Sequence, residues 1–178
     1  RGVTIPSGWT LTSCTDVVEN AGVLTFCGDA TNPSGDPEGW IARCERCSCW
    51  TTYCTANPNS TGSPADLSLS GSTSSSAGDL MLLAQPVPNQ FGIFFHAMNQ
   101  AQIAFGNGFL CATGDIKRGA VIFTSGNQGT YVYDNSDTKH SLASYVGSVR
   151  NFQFWFRDPM GGGAFFNLSN AISLTVCP

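Results

Sequence analysis

A run of closely spaced cysteines, CERCSCWTTYC at residues 44–54, has the composition of a metal site. Its C-x-x-C and C-x-C spacings could present four thiolates to one zinc ion. In an exported chain the same spacing more often forms disulfides, so we favour disulfides here. Free thiols or bound zinc would contradict that interpretation.

The whole chain has eight cysteines, and six of them lie within the first 54 residues. An even number at this density is typical of a disulfide framework formed in an oxidising compartment. Cys14 and Cys27 stand symmetrically about the sequence ENAG at residues 19–22. In an antiparallel hairpin they would lie opposite each other, so we predict that they bond. The eight candidates are Cys14, Cys27, Cys44, Cys47, Cys49, Cys54, Cys111 and Cys177.

Groups that could catalyse a reaction are few. Glycoside hydrolysis needs two carboxylates facing across a cleft, yet all three glutamates lie in the Cys-rich N-terminal part. No G-x-S-x-G motif occurs; His96 lies in the apolar strand GIFFHAM as a core histidine, and His140 lies in a polar loop. Asp158, just before a Pro-Gly turn, is interpreted as a turn former. We therefore predict that the protein is not an enzyme and has no cofactor.

The loop GDATNPSGDPEG, residues 28–39, contains oxygen ligands of the kind that calcium binds. The candidates are Asp29, Asn32, Asp36 and Glu38. The loop does not match an EF-hand, and its Asn-Pro, Ser-Gly and Asp-Pro pairs are equally typical of a long turn. We predict no metal site and keep these four residues as calcium candidates.

Two sequons, Asn59-Ser60-Thr61 and Asn167-Leu168-Ser169, could carry N-linked glycans. The first lies in the turn-like sequence NPNSTGSP. The alternative is that these residues only form turns, and in a bacterial host that alternative holds.

Charged side chains are scarce: 8 lysines and arginines and 12 aspartates and glutamates make up 11% of the 178 residues, and the net charge is −4. With two lysines, the chain lacks a positively charged surface that could bind the phosphate backbone of a nucleic acid, so nucleic acid is not an expected partner. A surface this poor in charge offers little repulsion between copies, so either glycans keep the molecules apart or the molecules touch.

The sequence also bears on location. No apolar run approaches the ~18 residues of a membrane span. The chain opens with Arg1 and has no leader, so we expect the mature form of a protein exported through a removed signal peptide to the cell surface or extracellular space.

Strand signals recur about every ten residues between clusters of Gly, Asn, Ser and Pro. They predict an all-β protein: an antiparallel β-sandwich or jelly-roll-like domain at residues 54–178, with a disulfide-rich N-terminal elaboration at residues 1–53. The clearest strands are ADLSLSGS, DLMLLAQPV, FGIFFHAM, GFLCAT, AVIFTS, TYVYD, NFQFWFRD and NAISLTVC.

An alternating N-terminal segment, residues 3–13, could pair with a sheet edge of the same chain or of a neighbouring copy. Its apolar positions are Val3, Ile5, Trp9 and Leu11. We expect it to act as an assembly strand.

The stretch NFQFWFRDP places three phenylalanines, Phe152, Phe154 and Phe156, on one side of a strand. The other side carries Trp155, where a half-buried strand should be polar. We expect Trp155 to meet protein, either the N-terminal Cys-rich layer or a strand of another copy.

Three segments, PNSTGSPADLSLSGS, FGNGFLCATG and NFQFWFRDPMGGGAFFNLSNAISLTV, resemble a β-rich domain found toward the C-terminal ends of exported proteins of planctomycete and myxobacterial type. The shared motifs are N-S-x-G, F-G-x-G-x-x-C and W-[FY]-R-D-P with F-N-L-S-[ND]-A, and they cover residues 54–178. The resemblance implies export and a β fold but no enzymatic activity. It also implies a Cys54–Cys111 disulfide, because those cysteines fall inside the shared segments.

Together these features predict an extracellular structural subunit that self-associates, into a filament or surface assembly, by β-strand addition. The alternative is a carbohydrate-binding or adhesion module whose exposed aromatics stack on sugar rings. The aromatic candidates are Trp40, Trp50, Tyr133 and Trp155.

Overall fold

The computed structural model describes residues 5–20, 23–45, 50–134 and 139–178, with the side chains of residues 19, 20, 23, 24 and 43–45 left out. The strands are β1 Thr10–Leu11, β2 Asp16–Asn20, β3 Val23–Thr31, β4 Pro37–Glu45, β5 Trp50–Tyr53, β6 Asp66–Ser70, β7 Leu80–Gln85, β8 Phe91–Ala97, β9 Asn99–Phe105, β10 Gly108–Thr113, β11 Lys117–Phe123, β12 Gly129–Tyr133, β13 Val149–Arg157 and β14 Phe166–Thr175. Two 3-10 turns, Ala143–Tyr145 and Pro159–Gly161, complete the structure. The predicted all-β class is confirmed. In the described part of the chain, no helix has the length and apolarity needed to cross a membrane.

The chain divides into two compact units, residues 1–46 and 47–178. The sequence predicted a boundary between residues 53 and 54, one strand too late. Strand β5 belongs to the second unit because it pairs along its length with β14, from Trp50 opposite Leu174 to Tyr53 opposite Ala171.

In the first unit, β3 is central, β4 lies along one side of it, and β2 and β1 follow one another along the other side. The indole of Trp40 crosses β3 at Gly28, and its Nε1–H donates to the backbone oxygens of Ser13 at 3.1 Å and Asp29 at 3.0 Å. A Cβ on Gly28 would lie 2.1 Å from the Ser13 oxygen. Glycine is therefore required where this indole reaches across the sheet.

In the second unit, antiparallel strands form three sheets: a five-stranded sheet in the order β11-β8-β13-β14-β5, a three-stranded sheet in the order β12-β7-β6, and the hairpin β9-β10. Phe152, Phe154 and Phe156 of β13 are fully buried, as their alternation predicted. They share one core cluster with Leu67 and Leu82 of the three-stranded sheet. Burying a side chain of this size contributes roughly 2–3 kcal/mol, so this cluster dominates the stability of the unit.

The opposite face of β13 is covered by the hairpin β9-β10. Phe95 of β8, Ala112 of β10 and Leu168 of β14 form a second buried cluster there. Trp155 is half-buried and packs against Phe166, with ring centroids 5.6 Å apart. The layer on this face is thus a hairpin of the same unit, which the sequence-based interpretation of Trp155 did not include.

Candidate functional site

One buried side chain ties the hairpin to the five-stranded sheet. The Oε1 atom of Gln153 accepts the backbone N–H of Cys111 at 2.9 Å and of Ala112 at 3.4 Å. Its Nε2 atom donates to the backbone oxygens of Phe109 and Ser169, each at 2.8 Å. Because a bulge interrupts the β9-β10 pairing at this point, the amide satisfies backbone groups that the hairpin partner does not.

The hairpin covers only part of this face. Beyond it, Phe91 of β8 and Val121 and Phe123 of β11 stand 51%, 63% and 58% exposed. We call these three residues the open patch. Phe91 and Phe123 contact edge to face, with ring centroids 5.1 Å apart. The open patch therefore presents ordered apolar surface to solvent.

A groove of about 330 Å³ also opens on this face. Its lining is mostly apolar and includes Ile93, Phe105, Leu110 and Trp155, with Arg118 as its charged member. The exposed part of Trp155 therefore forms a wall of a concave apolar surface.

Strand β11, which carries two of the open-patch residues, is the outermost strand of its sheet among the described residues. A register shift between Arg118 and Val121 divides it into two parts. The first part begins with Lys117 and Arg118, whose charges oppose pairing with another chain, but the second part, Val121–Phe123, has no charged residue. The side of that second part that faces away from β8 has no partner strand within the described ranges.

A second concavity, which we call the cationic pocket, has a volume of about 230 Å³. It is lined by residues of β8, β11, β12 and the segment after residue 138, among them His96, Lys117, Arg118, Tyr133, Lys139 and His140. The sequence did not indicate that the two histidines lie close together, because their spacing does not show that β8 meets a distant loop. His140 was predicted to be a solvated loop residue, but it is half-buried and lines this pocket.

His96 is buried and its Nδ1 atom accepts the Nε–H of Arg150 at 2.9 Å, which confirms the predicted core histidine. Burial, and then the charge of Arg150, lower the pKa of His96 to about 4. The ring is therefore neutral at pH 7, and with Nδ1 accepting, its proton lies on Nε2. His96 is a hydrogen-bond donor through Nε2.

Arg150 is also buried. Its guanidinium lies over the ring of Tyr145, 4.3 Å from the ring centroid, and donates to the backbone oxygen of Asp115 at 3.3 Å. The Asp115 carboxylate instead pairs with Lys117 at 2.8 Å. Among the described residues, the buried Arg150 charge thus has no carboxylate in direct contact.

Tyr133, predicted as an exposed platform for sugars, is 5% exposed, so its ring cannot stack on a ligand. Burial raises the pKa of its hydroxyl far above the ordinary value, so the group stays protonated. Within the described part of the chain, the Tyr133 Oη atom is buried without a hydrogen-bond partner. A buried hydroxyl in that state costs roughly 1–3 kcal/mol.

The predicted assembly strand, residues 3–13, is described from Ile5 onward, and Val3 lies outside the described residues. Ile5 and Leu11 are exposed, and Trp9 is half-buried. The strand β1 pairs with β3 of the same chain, with Leu11 opposite Ala30. The end of this segment is therefore held within its own unit.

Three of the four calcium candidates contact one another in a turn, and the fourth, Asp29, bonds elsewhere. Asp29 accepts a hydrogen bond from the Ser13 hydroxyl at 2.8 Å. The Asn32 Oδ1 atom accepts the backbone N–H of Asp36 at 3.0 Å, and its Nδ2 atom faces the carboxylates of Asp36 at 3.5 Å and Glu38 at 3.4 Å. These contacts form the β3–β4 turn. No group of three or more His, Cys, Asp or Glu side chains is placed for a metal ion among the described residues.

Both sequon asparagines are buried, contrary to the possibility that they carry glycans. The Asn59 Nδ2 atom donates to the backbone oxygen of Pro86 at 2.8 Å. The Asn167 Nδ2 atom donates to the backbone oxygen of Pro58 at 3.1 Å. Each amide nitrogen is engaged inside the fold, so in the folded protein neither can hold a sugar.

Two other polar side chains, those of Asn107 and Asp158, join turns that are distant in sequence. Asn107 donates to the backbone oxygen of Gly162 at 2.8 Å and accepts the backbone N–H of Ala164 at 2.9 Å. The buried carboxylate of Asp158 accepts the backbone N–H of Ser60 at 3.0 Å. These side chains therefore hold turns together, and Asp158 does so for the turn at Ser60, whereas it makes no side-chain capping bond in the 3-10 turn that follows it.

The Cys54–Cys111 disulfide is present, with the Cα atoms 6.2 Å apart. Cys177 is also disulfide-bonded. The predicted Cys14–Cys27 bond is wrong: both thiols are free, because the hairpin register places Asp16, not Cys14, opposite Cys27. The remaining side chains, those of Cys44, Cys47 and Cys49, lie outside the described part of the chain.

No protein-family model, curated protein or solved structure matches the chain. The open patch, the groove and the cationic pocket are therefore the features that bear on function.

Proposed function

We propose that the protein is an extracellular structural subunit that self-associates through the open patch and the unpaired part of β11. The observation that carries this proposal is the ordered exposure of Phe91, Val121 and Phe123 beside that edge. Clustered apolar surface next to unpaired backbone is the arrangement that strand addition uses.

The proposed occupant is a second copy of the chain. With 11% charged residues, two copies meet little electrostatic repulsion. Antiparallel pairing of β11 with β11 of a second copy would continue the five-stranded sheet across a two-fold axis and bring the two open patches together. The N–H and C=O groups of Val121–Phe123 that point away from β8 would then gain partners while the patch loses water.

Growth beyond a dimer needs a second contact, and the first unit supplies one in this proposal. Val17, Val18 and Ile41 are exposed there, and β4 has a side that is unpaired among the described residues. Two separate association surfaces on one subunit permit a filament or a surface assembly. The Cys54–Cys111 disulfide supports the oxidising, extracellular location.

The test is sedimentation velocity of the native protein together with negative-stain electron microscopy. The variant Val121→Lys/Phe123→Lys places charge on the edge and should sediment as a smaller species than the wild type. The matched control is Met160→Lys, since Met160 is 86% exposed and belongs to a 3-10 turn and not to β11 or the open patch. A wild type that is a monodisperse monomer, or assemblies that the double variant leaves intact, would refute the proposal.

A second candidate is carbohydrate binding, favoured by the half-buried indole of Trp155 in the wall of the groove. Aromatic walls in a concave site suit the apolar faces of sugar rings. The variant Trp155→Ala separates the two functions when its glycan binding is measured on an array and its assembly by sedimentation velocity. Lost glycan binding with unchanged assembly would favour this candidate, whereas lost assembly would favour the structural subunit.

A further inference from the structure

The cationic pocket concentrates positive charge in a protein that has little of it. The chain has 8 lysines and arginines, 2 histidines and a net charge of −4. Both lysines and Arg118 line this one pocket and supply its positive charge, and His140 and the neutral His96 line it as well.

A further positive charge, that of Arg150, contacts residues that line the pocket. The buried guanidinium of Arg150 donates to the Nδ1 atom of His96, which lines the pocket. Buried charges in proteins are normally paired with an opposite charge. Arg150 instead contacts a neutral imidazole, a tyrosine ring and a backbone oxygen, and Asp115 pairs with Lys117. An anion in the pocket would supply the missing compensation.

Two residues that line the pocket carry hydrogen-bond donors for which the described residues supply no acceptor. Among the described residues three buried side-chain atoms lack a partner: Tyr133 Oη, Asn151 Oδ1 and Asp158 Oδ1. The latter two are acceptors on residues that do not line the pocket, whereas Tyr133 lines it and offers an O–H donor. The Nε2–H of His96 is a second donor on a pocket-lining residue.

We propose that the cationic pocket binds an oxyanion group, a carboxylate, sulfate or phosphate, through the Tyr133 hydroxyl, the His96 Nε2–H and the ammonium groups of Lys117 and Lys139. This site is separate from the surface proposed for self-association. Its volume of about 230 Å³ is below the roughly 300–1,000 Å³ of pockets for drug-sized ligands. The ligand is therefore a small free anion or one acidic sugar residue.

Isothermal titration calorimetry with sodium sulfate, sodium phosphate and sodium glucuronate tests the proposal, with glucose as the uncharged control. At least one of the three anions should bind and glucose should not. Binding of glucuronate alone identifies an acidic sugar residue, and binding of the inorganic anions identifies a free-anion site. If none of the three anions binds to the wild type, the proposal is overturned.

The variant Tyr133→Phe assigns the binding to this pocket. It removes one donor while keeping the ring, so anion affinity should fall about fivefold to tenfold. Without anion its thermal stability should equal or exceed that of the wild type, because the removed hydroxyl has no partner. The variant Lys139→Gln, at an exposed position, should also weaken binding without unfolding the protein.

The matched control is Tyr53→Phe. The Tyr53 hydroxyl donates to the backbone oxygen of Cys111 at 2.9 Å and does not line the pocket, so this variant should lose stability and keep its anion affinity. Equal anion affinity in the wild type, Tyr133→Phe and Lys139→Gln would overturn the assignment.

Discussion

The side-chain amide of Gln153 holds the backbone of Cys111 as a neighbouring strand would. Its Oε1 atom accepts the Cys111 N–H at 2.9 Å while its Nε2 atom donates to the oxygen of Phe109, two residues earlier, at 2.8 Å. One side chain thus reproduces the donor and acceptor of a peptide group at the bulge in β10. Cys111 is therefore held both by this side chain, through its backbone, and by the disulfide to Cys54, through its own side chain.

Replacing Gln153 with leucine should destabilise the second unit strongly. The change keeps the side-chain volume but leaves the Cys111 N–H and the Phe109 and Ser169 oxygens buried without partners. At about 1–3 kcal/mol for each group, we expect a loss of about 3 kcal/mol or more in the free energy of unfolding. Urea denaturation measures the loss. The control Gln102→Leu removes an exposed amide on β9, and equal effects of the two changes would contradict the role given to Gln153.

Acid should weaken the fold through His96. Its pKa in the folded state is about 4, below the value of 6.5 in an unfolded chain. Between these values the unfolded chain binds a proton that the folded chain does not, so stability falls as the pH falls from 6.5 to 4. The shift corresponds to about 3 kcal/mol, fully lost below pH 4.

Denaturation curves at several pH values check this prediction against His96→Gln, which retains an acceptor for Arg150 but does not titrate. The variant should show a flatter profile between pH 6.5 and 4. A nuclear magnetic resonance titration that finds His96 protonated near pH 6.5 in the folded protein would exclude the mechanism.

Removing the Cys54–Cys111 disulfide should release a long loop in the unfolded state. The two cysteines are 57 residues apart. Loop-closure entropy for that length corresponds to about 4 kcal/mol. The variant Cys54→Ala/Cys111→Ala should therefore unfold at much lower denaturant concentration than the wild type. Cys14→Ser, at an exposed free thiol, should change stability by less than ~0.5 kcal/mol, and a larger change there would show that Cys14 has a role not visible in its contacts.

Sequence pattern predicted the parts of the fold that depend on local alternation. The period of two in β13 placed Phe152, Phe154 and Phe156 in the core because a strand buries alternate residues. The Cys14–Cys27 prediction failed because symmetry about a turn does not fix the hairpin register.

The features proposed for function depend on contacts between distant segments, which a local pattern does not encode. Gln153 reads as an ordinary polar residue on the outer face of a strand, yet it is fully buried under the hairpin. The cationic pocket unites His96 with His140, 44 residues later, and with Tyr133 of a different sheet. The chain has only two lysines and both line this pocket, but their small number in the sequence does not indicate that they lie together.

The pairing of β5 with β14 has a consequence for biogenesis. The first strand of the second unit is hydrogen-bonded to its last, so the five-stranded sheet is incomplete until residue 174 is available to pair with Trp50. While residues 166–175 are still inside the ribosome, the five-stranded sheet therefore lacks β14 and leaves β5 without its partner. The sheet can be completed only after these residues have emerged, because β5 pairs with a strand more than 100 residues later in the chain.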